Sequence, residues 1–416
     1  MCAPPQTSSS KKSTPPASPA SSSLTLSKVT LLLSGIFALL IALVPIIFSE
    51  FAGGWTKKYT SPRPIFSTST MNNNNNNNYL AGQVAIVTGS NTGMGYYTAL
   101  ELARHGATVI VAARSAAKGE AAVAKIQQEI AAATTTTTTT SIPENVRFMP
   151  LDLSSLESVR SFAKQFLKTK LPLHKLILNA GIMKSPGAMF IGKETTYGYD
   201  VTKDGFEAHI GINHIGHYYL TQLLRKKLVA SAPSRVVSVS SMAEEGAYPE
   251  EGIQFDTWKA PQSSASGIDI IPHGYEDGLA YGQSKLANLL FVQQLAEQLN
   301  GTGVTAYSCH PGIVMTELSR YMMEEQNQDL KTAGWLAKQM AYLLAKYFEQ
   351  MQFTAPDGAL TQLHLSVADP GELQTGGFYH PIGKLVGGGR HSQGSNSTLA
   401  KLVWTETARM IHEAGF

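Results

Sequence analysis

The chain has 416 residues, 43% of them hydrophobic, and its formal net charge is only +3. This length accommodates one large α/β domain with a tail, and so small a net charge gives no reason to expect a nucleic-acid partner. There are two cysteines, and Cys2 lies in the N-terminal tail while Cys309 lies in the predicted domain. No group of residues has metal-ligand spacing, so we expect neither a disulfide framework nor a metal site.

The first 79 residues are predicted to precede the folded domain. Residues 1–28 are rich in Ser and Pro, which is typical of a disordered tail. Residues 29–48 form an uncharged run, VTLLLSGIFALLIALVPIIF, which as a helix can cross a hydrocarbon core of about 30 Å. Residues 49–79 contain consecutive asparagines and are interpreted as a linker. We therefore expect a single transmembrane anchor followed by a domain over 80–416.

The charges around the apolar run do not fix its orientation. Three basic residues precede it and three follow it, which is a tie under the positive-inside rule: Lys11, Lys12 and Lys28 against Lys57, Lys58 and Arg63. The favoured location is the endoplasmic reticulum membrane, with the folded domain in the cytosol. An organelle transit segment is the alternative, because Ser and Thr are frequent and Glu50 is the only acidic residue among the first 100.

A glycine-rich turn follows the first apolar strand of the domain. The strand is predicted over Gln83–Thr88, and the helix after the turn over Tyr96–His105. Glycines permit positive φ angles and a close approach of backbone N–H groups to a phosphate, which a helix N-terminus also attracts. An ordinary glycine-rich turn is the alternative. The pattern favours a dinucleotide site made by Gly89, Ser90, Asn91, Thr92, Gly93, Met94 and Gly95.

The end of the second strand indicates which dinucleotide binds. This strand, Ala107–Ala113, is followed by Arg114 and Ser115. A site for NAD usually has an acidic residue here for the ribose 2′-hydroxyl, and none is present. Arg114 with Ser115 suits a 2′-phosphate, so we predict NADP(H). A solvated arginine is the alternative, and it would leave the cofactor open.

Two more strands place polar residues at the same edge of the predicted sheet. The third strand, Val146–Leu153, ends with Asp152 and Leu153, which could reach the adenine, although Asp152 is nearly as well explained as a helix cap. The fourth strand, Lys175–Leu178, is followed by Asn179-Ala180-Gly181, a further candidate for cofactor contact. Strands that alternate with helices predict a parallel sheet, and ligands bind beyond the carboxyl ends of such strands.

Tyr281 and Lys285 are four residues apart, and so lie on one face of a predicted helix. A free tyrosine has a pKa near about 10, too high for a base at neutral pH, and a nearby ammonium favours the phenolate. Beside a dinucleotide site, the pair predicts proton transfer that accompanies hydride transfer. The alternative is an exposed tyrosine and lysine on a helix surface.

Together these motifs resemble the short-chain dehydrogenase/reductase family. The resemblance runs from about Gln83 to about Lys384 and rests on Thr88–Gly95, Asn179-Ala180-Gly181, Asn213, Ser241, Tyr281 and Lys285. Finer features are similar to its retinol dehydrogenase-like branch: DGFE at 204–207, NHIGH at 213–217, SKLAN at 284–288 and HPG at 310–312. The family implies a doubly wound, Rossmann-like parallel sheet of about seven strands in a single catalytic domain.

The resemblance implies roles for a catalytic set. Tyr281 would donate the proton in carbonyl reduction and accept it in alcohol oxidation, and Lys285 would also bind the nicotinamide ribose. Ser241, at the end of a fifth strand predicted over Arg235–Ser241, would hydrogen-bond the substrate oxygen, with Ser240 as the alternative.

A helix predicted over Phe206–Leu224 carries the fourth member of the set, Asn213. The resemblance implies that Asn213 holds a proton-relay water near the lysine. A buried asparagine that satisfies backbone groups is the alternative. His214 and His217 lie on the same helix and are expected to have packing or surface roles.

A loop after the sixth strand, Val304–Ser308, completes the implied cofactor site. In the family this loop meets the nicotinamide amide. Its residues here are Pro311, Gly312, Val314 and Thr316. A plain turn after the strand is the alternative.

Two inserts depart from the family pattern, at about 185–202 and 244–278. Both emerge where substrate would enter. Long loops are often functional, and a neutral surface excursion is the alternative for each insert.

The sequence as a whole predicts a membrane-anchored, NADP(H)-dependent reductase or dehydrogenase. Its substrate would be a hydrophobic carbonyl or alcohol compound such as a retinoid, a steroid or a lipid aldehyde. A protochlorophyllide-type reductase and a non-catalytic, cofactor-sensing scaffold are the alternatives. A homodimer is a further possibility that the family suggests.

Overall fold

A single mixed sheet organises the protein. The structure, a computed structural model, describes residues 78–133, 145–184, 199–259, 271–314 and 352–416. All of these residues belong to one compact unit, Phe51–Phe416. Eight strands pair in the order β3-β2-β1-β4-β5-β6-β7-β8. They are β1 (Val84–Thr88), β2 (Thr108–Ala113), β3 (Val146–Pro150), β4 (Lys175–Leu178), β5 (Ser234–Val239), β6 (Val304–Cys309), β7 (Phe378–His380) and β8 (Lys384–Gly387).

The predicted doubly wound sheet is confirmed, with one difference at its edge. Strands β1 to β7 are parallel, and β8 runs antiparallel to β7. β1 and β4 are buried along their whole length, as expected for strands with helices on both faces. β8 is exposed or half-buried and contains a glycine, so it lacks the apolar run by which the first six strands are predicted.

Helices cover both faces of the sheet. They are α1 (Gly93–Arg104), α2 (Ala116–Ala133), α3 (Leu156–Lys168), α4 (Gly216–Ala230), α5 (Asp277–Gln298), α6 (Ala355–Val367) and α7 (Ser397–Glu413). α1, α2 and α6 pack into one hydrophobic cluster, and α3, α4, α5 and α7 pack into the other. This layering leaves the carboxyl ends of the strands free to carry a site.

The helix predicted over Phe206–Leu224 differs from the structure. A short α-helical turn, Ala208–Ile210, leads into a π-helical turn, Gly211–Ile215, and only then does α4 begin. Phe206 instead pairs with Lys259 in an isolated bridge. Apolar periodicity cannot reveal a π turn, because one added residue shifts the helix face without removing the helical pattern.

Two strands end earlier than predicted. β3 ends at Pro150 and β5 ends at Val239. Asp152 and Ser241 therefore lie in the loops beyond the strands. This placement puts both residues at the edge of the sheet where ligands bind in such folds.

The C-terminal helix begins at a side-chain cap. The Asn396 Oδ1 atom accepts a hydrogen bond from the Leu399 N–H at 3.0 Å. Its Nδ2 donates to Gln393 Oε1 at 2.7 Å. Asn300, by contrast, lies in an exposed turn after α5.

Several predictions fall outside the described residues. These are the disordered tail, the apolar run 29–48, most of the linker, and Thr316. Among the residues that the structure does describe, no helix is long and apolar enough to span a bilayer.

Candidate active site

The glycine-rich turn is built by close backbone contacts. Gly89 has a φ of +66°, and a Cβ atom there would lie 2.9 Å from the Ala180 Cα. A Cβ on Gly95 would lie 2.6 Å from the Gly89 carbonyl oxygen. Both positions therefore require glycine, and they bring the turn against the residues that follow β4.

The N-terminus of α1 offers unused donors. Its N-cap, Thr92, makes no side-chain capping bond, and no acidic residue occupies the first turn. The Ser90 hydroxyl is turned back to the Val87 carbonyl at 2.6 Å, and Asn91 is half-buried. Gly93 has a φ of +58°. First-turn N–H groups without a capping side chain suit a phosphate.

Arg114 and Ser115 follow β2 at the same edge of the sheet. Arg114 is exposed, and it forms no ion pair within the described part of the chain. Ser115 Oγ accepts from the Lys118 N–H at 3.4 Å, at the start of α2. A free guanidinium beside a hydroxyl is a suitable donor set for a phosphate.

Asp152 is held by its own loop. Its carboxylate accepts from the Ser154 N–H at 3.0 Å, the Ser154 hydroxyl at 2.7 Å and Lys203 Nζ at 2.9 Å. Burial opposes ionisation, but these hydrogen bonds prevail and lower its pKa. The structure thus favours a loop-stabilising role for this carboxylate. Leu153 is buried, and its carbonyl oxygen would lie 2.7 Å from a Cβ on Gly216, at the start of α4.

Thr88 joins the ends of β1 and β4. Its hydroxyl oxygen accepts from the Asn179 N–H at 2.9 Å and the Ala180 N–H at 3.0 Å. The Asn179 side chain returns a bond from Nδ2 to the Thr88 carbonyl at 2.9 Å. Gln362 on α6 donates to Asn179 Oδ1 at 3.2 Å. Asn179, Ala180 and the glycine-rich turn are therefore one connected unit.

Tyr281 and Lys285 lie together on α5, as the spacing predicts. Tyr281 is 8% exposed and Lys285 is 5% exposed, which excludes the alternative of two surface residues. Lys285 Nζ lies 5.6 Å from the centroid of the Tyr281 ring and donates to the Val239 carbonyl at 3.2 Å. A Cβ on Gly181 would lie 3.4 Å from Nζ, so this glycine leaves the ammonium accessible from the cofactor loop.

The two serines after β5 have different surroundings. The Ser240 hydroxyl is buried and donates to the Lys285 carbonyl at 2.6 Å. Ser241 begins the 3₁₀ turn Met242–Gly246, and its Oγ accepts from the Ala243 N–H at 3.1 Å. The Ser241 hydroxyl also lowers the pKa of Tyr281 as a hydrogen-bond donor to it. The geometry therefore favours Ser241 over Ser240 as the substrate-facing hydroxyl.

Burial shifts the pKa of each member of the pair away from its charged form. It raises the pKa of Tyr281 to about 12, against the lowering effect of the Ser241 hydrogen bond. It lowers the pKa of Lys285 to about 8. The lowering of the tyrosine pKa by Lys285 that we expect from the sequence is thus not produced by the protein's own groups, because desolvation of the phenolate dominates.

Asn213 lies in the π-helical turn and is fully buried. Its Oδ1 accepts from the Ile182 N–H at 2.8 Å. Its Nδ2 donates to the Ile182 carbonyl at 3.1 Å and to Ser284 Oγ at 2.9 Å. The side chain therefore satisfies backbone groups, as the alternative interpretation expects, and it does so directly beside the lysine helix.

The loop after β6 is tight at Gly312. This residue has a φ of +92°, and a Cβ there would lie 2.5 Å from the Phe353 ring. Val314 and Phe353 form a parallel bridge. The loop with Pro311 and Gly312 thus follows the β6 end at the same edge as the other candidates, and Thr316 lies outside the described residues.

A buried acid supports the side of Tyr281 through a histidine, and its position is not predicted from the sequence. Glu207, in the DGFE motif, accepts four hydrogen bonds: His209 Nδ1 at 2.7 Å, His209 N–H at 3.0 Å, Ile210 N–H at 2.8 Å and Tyr275 OH at 3.2 Å. The His209 ring packs edge-on against Tyr281 with centroids 5.9 Å apart. Its Nε2 accepts from the Lys184 N–H at 3.0 Å. Glu207 and His209 therefore support the wall between Tyr281 and the loop after β4.

The described part of the insert 244–278 packs into the domain. Trp258 is fully buried and donates from Nε1 to Gln283 Oε1 at 3.2 Å. Gln283 Nε2 donates to Thr257 Oγ1 at 2.8 Å. Since Gln283 lies on α5 between Tyr281 and Lys285, the described part of this insert supports the site and is not a neutral surface excursion. Residues 260–270, and residues 185–198 of the other insert, lie outside the described ranges.

Known proteins resemble this chain in sequence and in fold. The family model described as short chain dehydrogenase matches residues 83–253. Retinol dehydrogenase 11 of Homo sapiens is 36% identical over 376 residues, which cover 90% of this chain and 97% of that protein. A crystal structure of an uncharacterised protein from Mycobacterium paratuberculosis is 30% identical and covers 80% of this chain and 94% of its own, with a TM-score of 0.53.

A more distant structure shares the fold alone. It is L-sorbose reductase from Gluconobacter frateurii complexed with NADPH and L-sorbose, 16% identical, with a TM-score of 0.51. It covers 74% of this chain and 97% of its own.

Proposed function

Because this chain belongs to the short-chain dehydrogenase family and is an oxidoreductase acting on CH–OH groups, we propose that it transfers a hydride between NADP(H) and a carbonyl or alcohol carbon of a small hydrophobic substrate. One observation carries the proposal. Tyr281, Lys285 and Ser241 lie together at the carboxyl edge of the sheet, and Gly181 connects them to the residues around the glycine-rich turn.

Side chains of the protein transfer the proton that accompanies the hydride. When bound, NADPH would supply the hydride to the carbonyl carbon. Tyr281 donates its phenolic proton to the carbonyl oxygen, and Ser241 donates a hydrogen bond to the same oxygen as negative charge develops there. The raised pKa of Tyr281 keeps this proton in place at neutral pH. In alcohol oxidation the Tyr281 phenolate, formed by loss of this proton, accepts the proton of the alcohol.

Lys285 and Asn213 support the phenol. The buried ammonium lies 5.6 Å from the tyrosine ring, where it favours the phenolate left after proton transfer. Asn213, one hydrogen bond from the helix that carries the lysine, holds a water near Lys285, and this water restores the proton.

The cofactor site is proposed from donors that remain available. Phosphates of the dinucleotide would sit over the glycine-rich turn and the first turn of α1, which has no acidic residue. Arg114 and Ser115 would hold the 2′-phosphate. Asp152, Leu153, Asn179 and Ala180 would border the adenosine half, while Gly181, Pro311, Gly312, Val314 and Thr316 would border the nicotinamide.

The substrate class follows from the relatives' names and from the apolar run. Several similar proteins are named retinol dehydrogenases. We propose a retinoid, a steroid or a lipid aldehyde, because a substrate of this kind partitions into a bilayer that an anchored enzyme can reach.

The test is turnover of hydrophobic aldehydes with NADPH by the wild type and Tyr281→Phe. We expect at least a ~10²-fold loss of kcat in the variant, as for removal of a general acid, while NADPH affinity stays within about twofold of the wild type. Tyr307→Phe is the matched control, since Tyr307 is also buried and its hydroxyl has no hydrogen-bond partner in the described part of the chain. Binding of NADPH with no turnover by the wild type would instead favour a cofactor-sensing scaffold.

We also propose that residues 29–48 anchor the enzyme in the endoplasmic reticulum membrane. The full chain should stay in the membrane pellet after alkaline carbonate extraction, and deletion of 29–48 should release it to the supernatant. Deletion of 1–28 is the control, and it should leave the protein in the pellet. Release of the full chain by carbonate would rule out the anchor.

A further inference from the structure

One buried imidazole lies between the cofactor turn and the π-helical turn. His217 is 1% exposed. Its Nδ1 lies 3.0 Å from the Asn213 main-chain carbonyl oxygen, and its Nε2 lies 2.9 Å from Thr88 Oγ1. Both ring nitrogens therefore have partners, and each partner belongs to a different part of the site.

The partners of His217 define its tautomer. A carbonyl oxygen only accepts, so Nδ1 must carry a proton toward Asn213. Burial lowers the pKa of His217 to about 4, although the Asn213 bond opposes this. The ring is therefore neutral at pH 7, and Nε2 is an acceptor. The Thr88 hydroxyl has a single proton, and its 2.9 Å contact with Nε2 is shorter than its 3.4 Å contact with the Ile177 carbonyl oxygen. We therefore assign this proton to Nε2, while the hydroxyl oxygen receives the Asn179 and Ala180 N–H groups.

We propose that His217 is a positioning residue that couples the cofactor-binding edge of β1 and β4 to the main-chain carbonyl of Asn213. A π-helical turn has irregular carbonyl directions, and the imidazole fixes this one. In this role the second lone pair of the carbonyl accepts from the water that Asn213 holds. This role rests on the proposed function, because it matters only if proton transfer runs past Asn213.

The neighbouring His214 provides a matched control. It is equally buried, lies in the π-helical turn that carries Asn213, and its pKa is also lowered by burial, to about 3. Its Nε2 lies 3.0 Å from Thr407 Oγ1 on α7, on the side of the turn that faces the core. Loss of this imidazole should thus remove packing contacts and the hydrogen bond to Thr407, while both hydrogen bonds of His217 remain.

The experiment compares His217→Phe with His214→Phe by urea unfolding, by NADPH fluorescence titration and by kcat with a hydrophobic aldehyde. We expect similar losses of stability in the two variants. We expect kcat to fall at least tenfold in His217→Phe and to stay within about threefold in His214→Phe. Equal kcat values in the two variants would overturn the proposal.

Two conservative variants test the two hydrogen bonds of His217 separately. His217→Asn places an amide nitrogen near the Nδ1 position and can restore the bond to Asn213, whereas His217→Gln reaches toward Thr88. We expect His217→Asn to recover kcat more than His217→Gln, and His217→Gln to recover NADPH affinity more than His217→Asn. The reverse pattern would contradict the assigned roles. A wild type with no turnover would defeat the proposed function itself, which is distinct from an active wild type whose kcat ignores His217.

Discussion

Tyr281 and Lys285 share one buried environment, and that environment pushes their pKa values in opposite directions. Burial raises the pKa of the phenol to about 12 and lowers that of the ammonium to about 8. The phenol therefore keeps its proton at neutral pH, as carbonyl reduction requires, and the ammonium is still mostly charged. A nicotinamide that carries positive charge would favour the phenolate further, so the state suited to alcohol oxidation would depend on the bound cofactor.

Arg114 is the residue on which cofactor choice should depend. Charge-assisted hydrogen bonds contribute about 1.5–3 kcal/mol, so Arg114→Ala should weaken NADPH binding roughly 10- to 100-fold. NADH lacks the 2′-phosphate, and its affinity should change less than about twofold. Fluorescence titration with both nucleotides measures this, with the exposed Lys125→Ala as the control. Equal losses for NADPH and NADH would refute the assignment.

The hydrogen bonds of Glu207 show that contacts between residues far apart in the chain cannot be predicted from a local sequence motif. DGFE marks Glu207 as part of a motif, but its partner Tyr275 is 68 residues away. No spacing rule predicts a contact at that separation, whereas the four-residue spacing of Tyr281 and Lys285 is a local property of a helix. Local spacing therefore identified the proposed catalytic pair and missed the residues that support it.

At the scale of elements, apolar runs predicted the central sheet well. β4 has the predicted bounds, and β1, β2 and β6 differ by one residue at one end. The prediction failed for β8, which lacks an apolar run, and for the π-helical turn, which periodicity does not distinguish from an α-helix. Both failures occur where tertiary pairing, rather than local pattern, decides the backbone.

The loop before α7 clamps the segment that follows Ser241. Glu244 is fully buried and accepts from the Arg390 N–H at 2.6 Å and the His391 N–H at 3.1 Å. Removal of the carboxylate leaves two N–H groups unpaired, so Glu244→Ala should lower the free energy of unfolding by about 1–3 kcal/mol. Glu245→Ala is the matched control, since its ion pair with Arg390 is long and partly exposed; we expect less than about 0.5 kcal/mol.

Urea unfolding at neutral pH compares the two glutamates. Equal effects would mean that the buried carboxylate is no more important to the clamp than its exposed neighbour. A larger effect of Glu245→Ala would mean that the exposed ion pair stabilises this segment more than the buried hydrogen bonds of Glu244 do.

The molecule as a whole should be sensitive to mild acid. Burial lowers the pKa of His214 to about 3 and those of His217 and His380 to about 4, and it lowers that of His310 as well. These histidines stay neutral in the folded state while the unfolded chain binds protons below about pH 6.5. The contribution of these histidines to stability is therefore complete above that pH and is lost as the pH falls toward 4, by up to about 1.4 kcal/mol per pH unit for each histidine.

One group acts in the opposite direction within this window. Burial raises the pKa of Glu244 to about 6, so its contribution is full at acid pH and is lost as the pH rises through 6. Because four histidines act in one direction and one glutamate in the other, the free energy of unfolding should rise with pH across this window.

His310→Leu isolates one of these histidines. Neither ring nitrogen of His310 has a hydrogen-bond partner within the described ranges. The substitution therefore removes a titratable imidazole without breaking a hydrogen bond within those ranges. Between pH 6.5 and 4.5 the variant should lose less stability than the wild type in urea unfolding, and the difference between the two proteins should be constant above pH 7.5. Parallel curves throughout would contradict the buried-histidine account.

The side-chain cap at the start of α7 affects how N-glycosylation would report the membrane orientation of this protein. Asn300-Gly301-Thr302 and Asn396-Ser397-Thr398 are both acceptor sequences for N-glycosylation. The Asn396 amide is engaged at both ends, by Leu399 and by Gln393, so a glycan there would compete with helix capping. Asn300 lies in an exposed turn. A domain exposed to the lumen should therefore carry its sugar first at Asn300, and absence of sugar at Asn396 alone would say nothing about which side of the membrane the domain occupies.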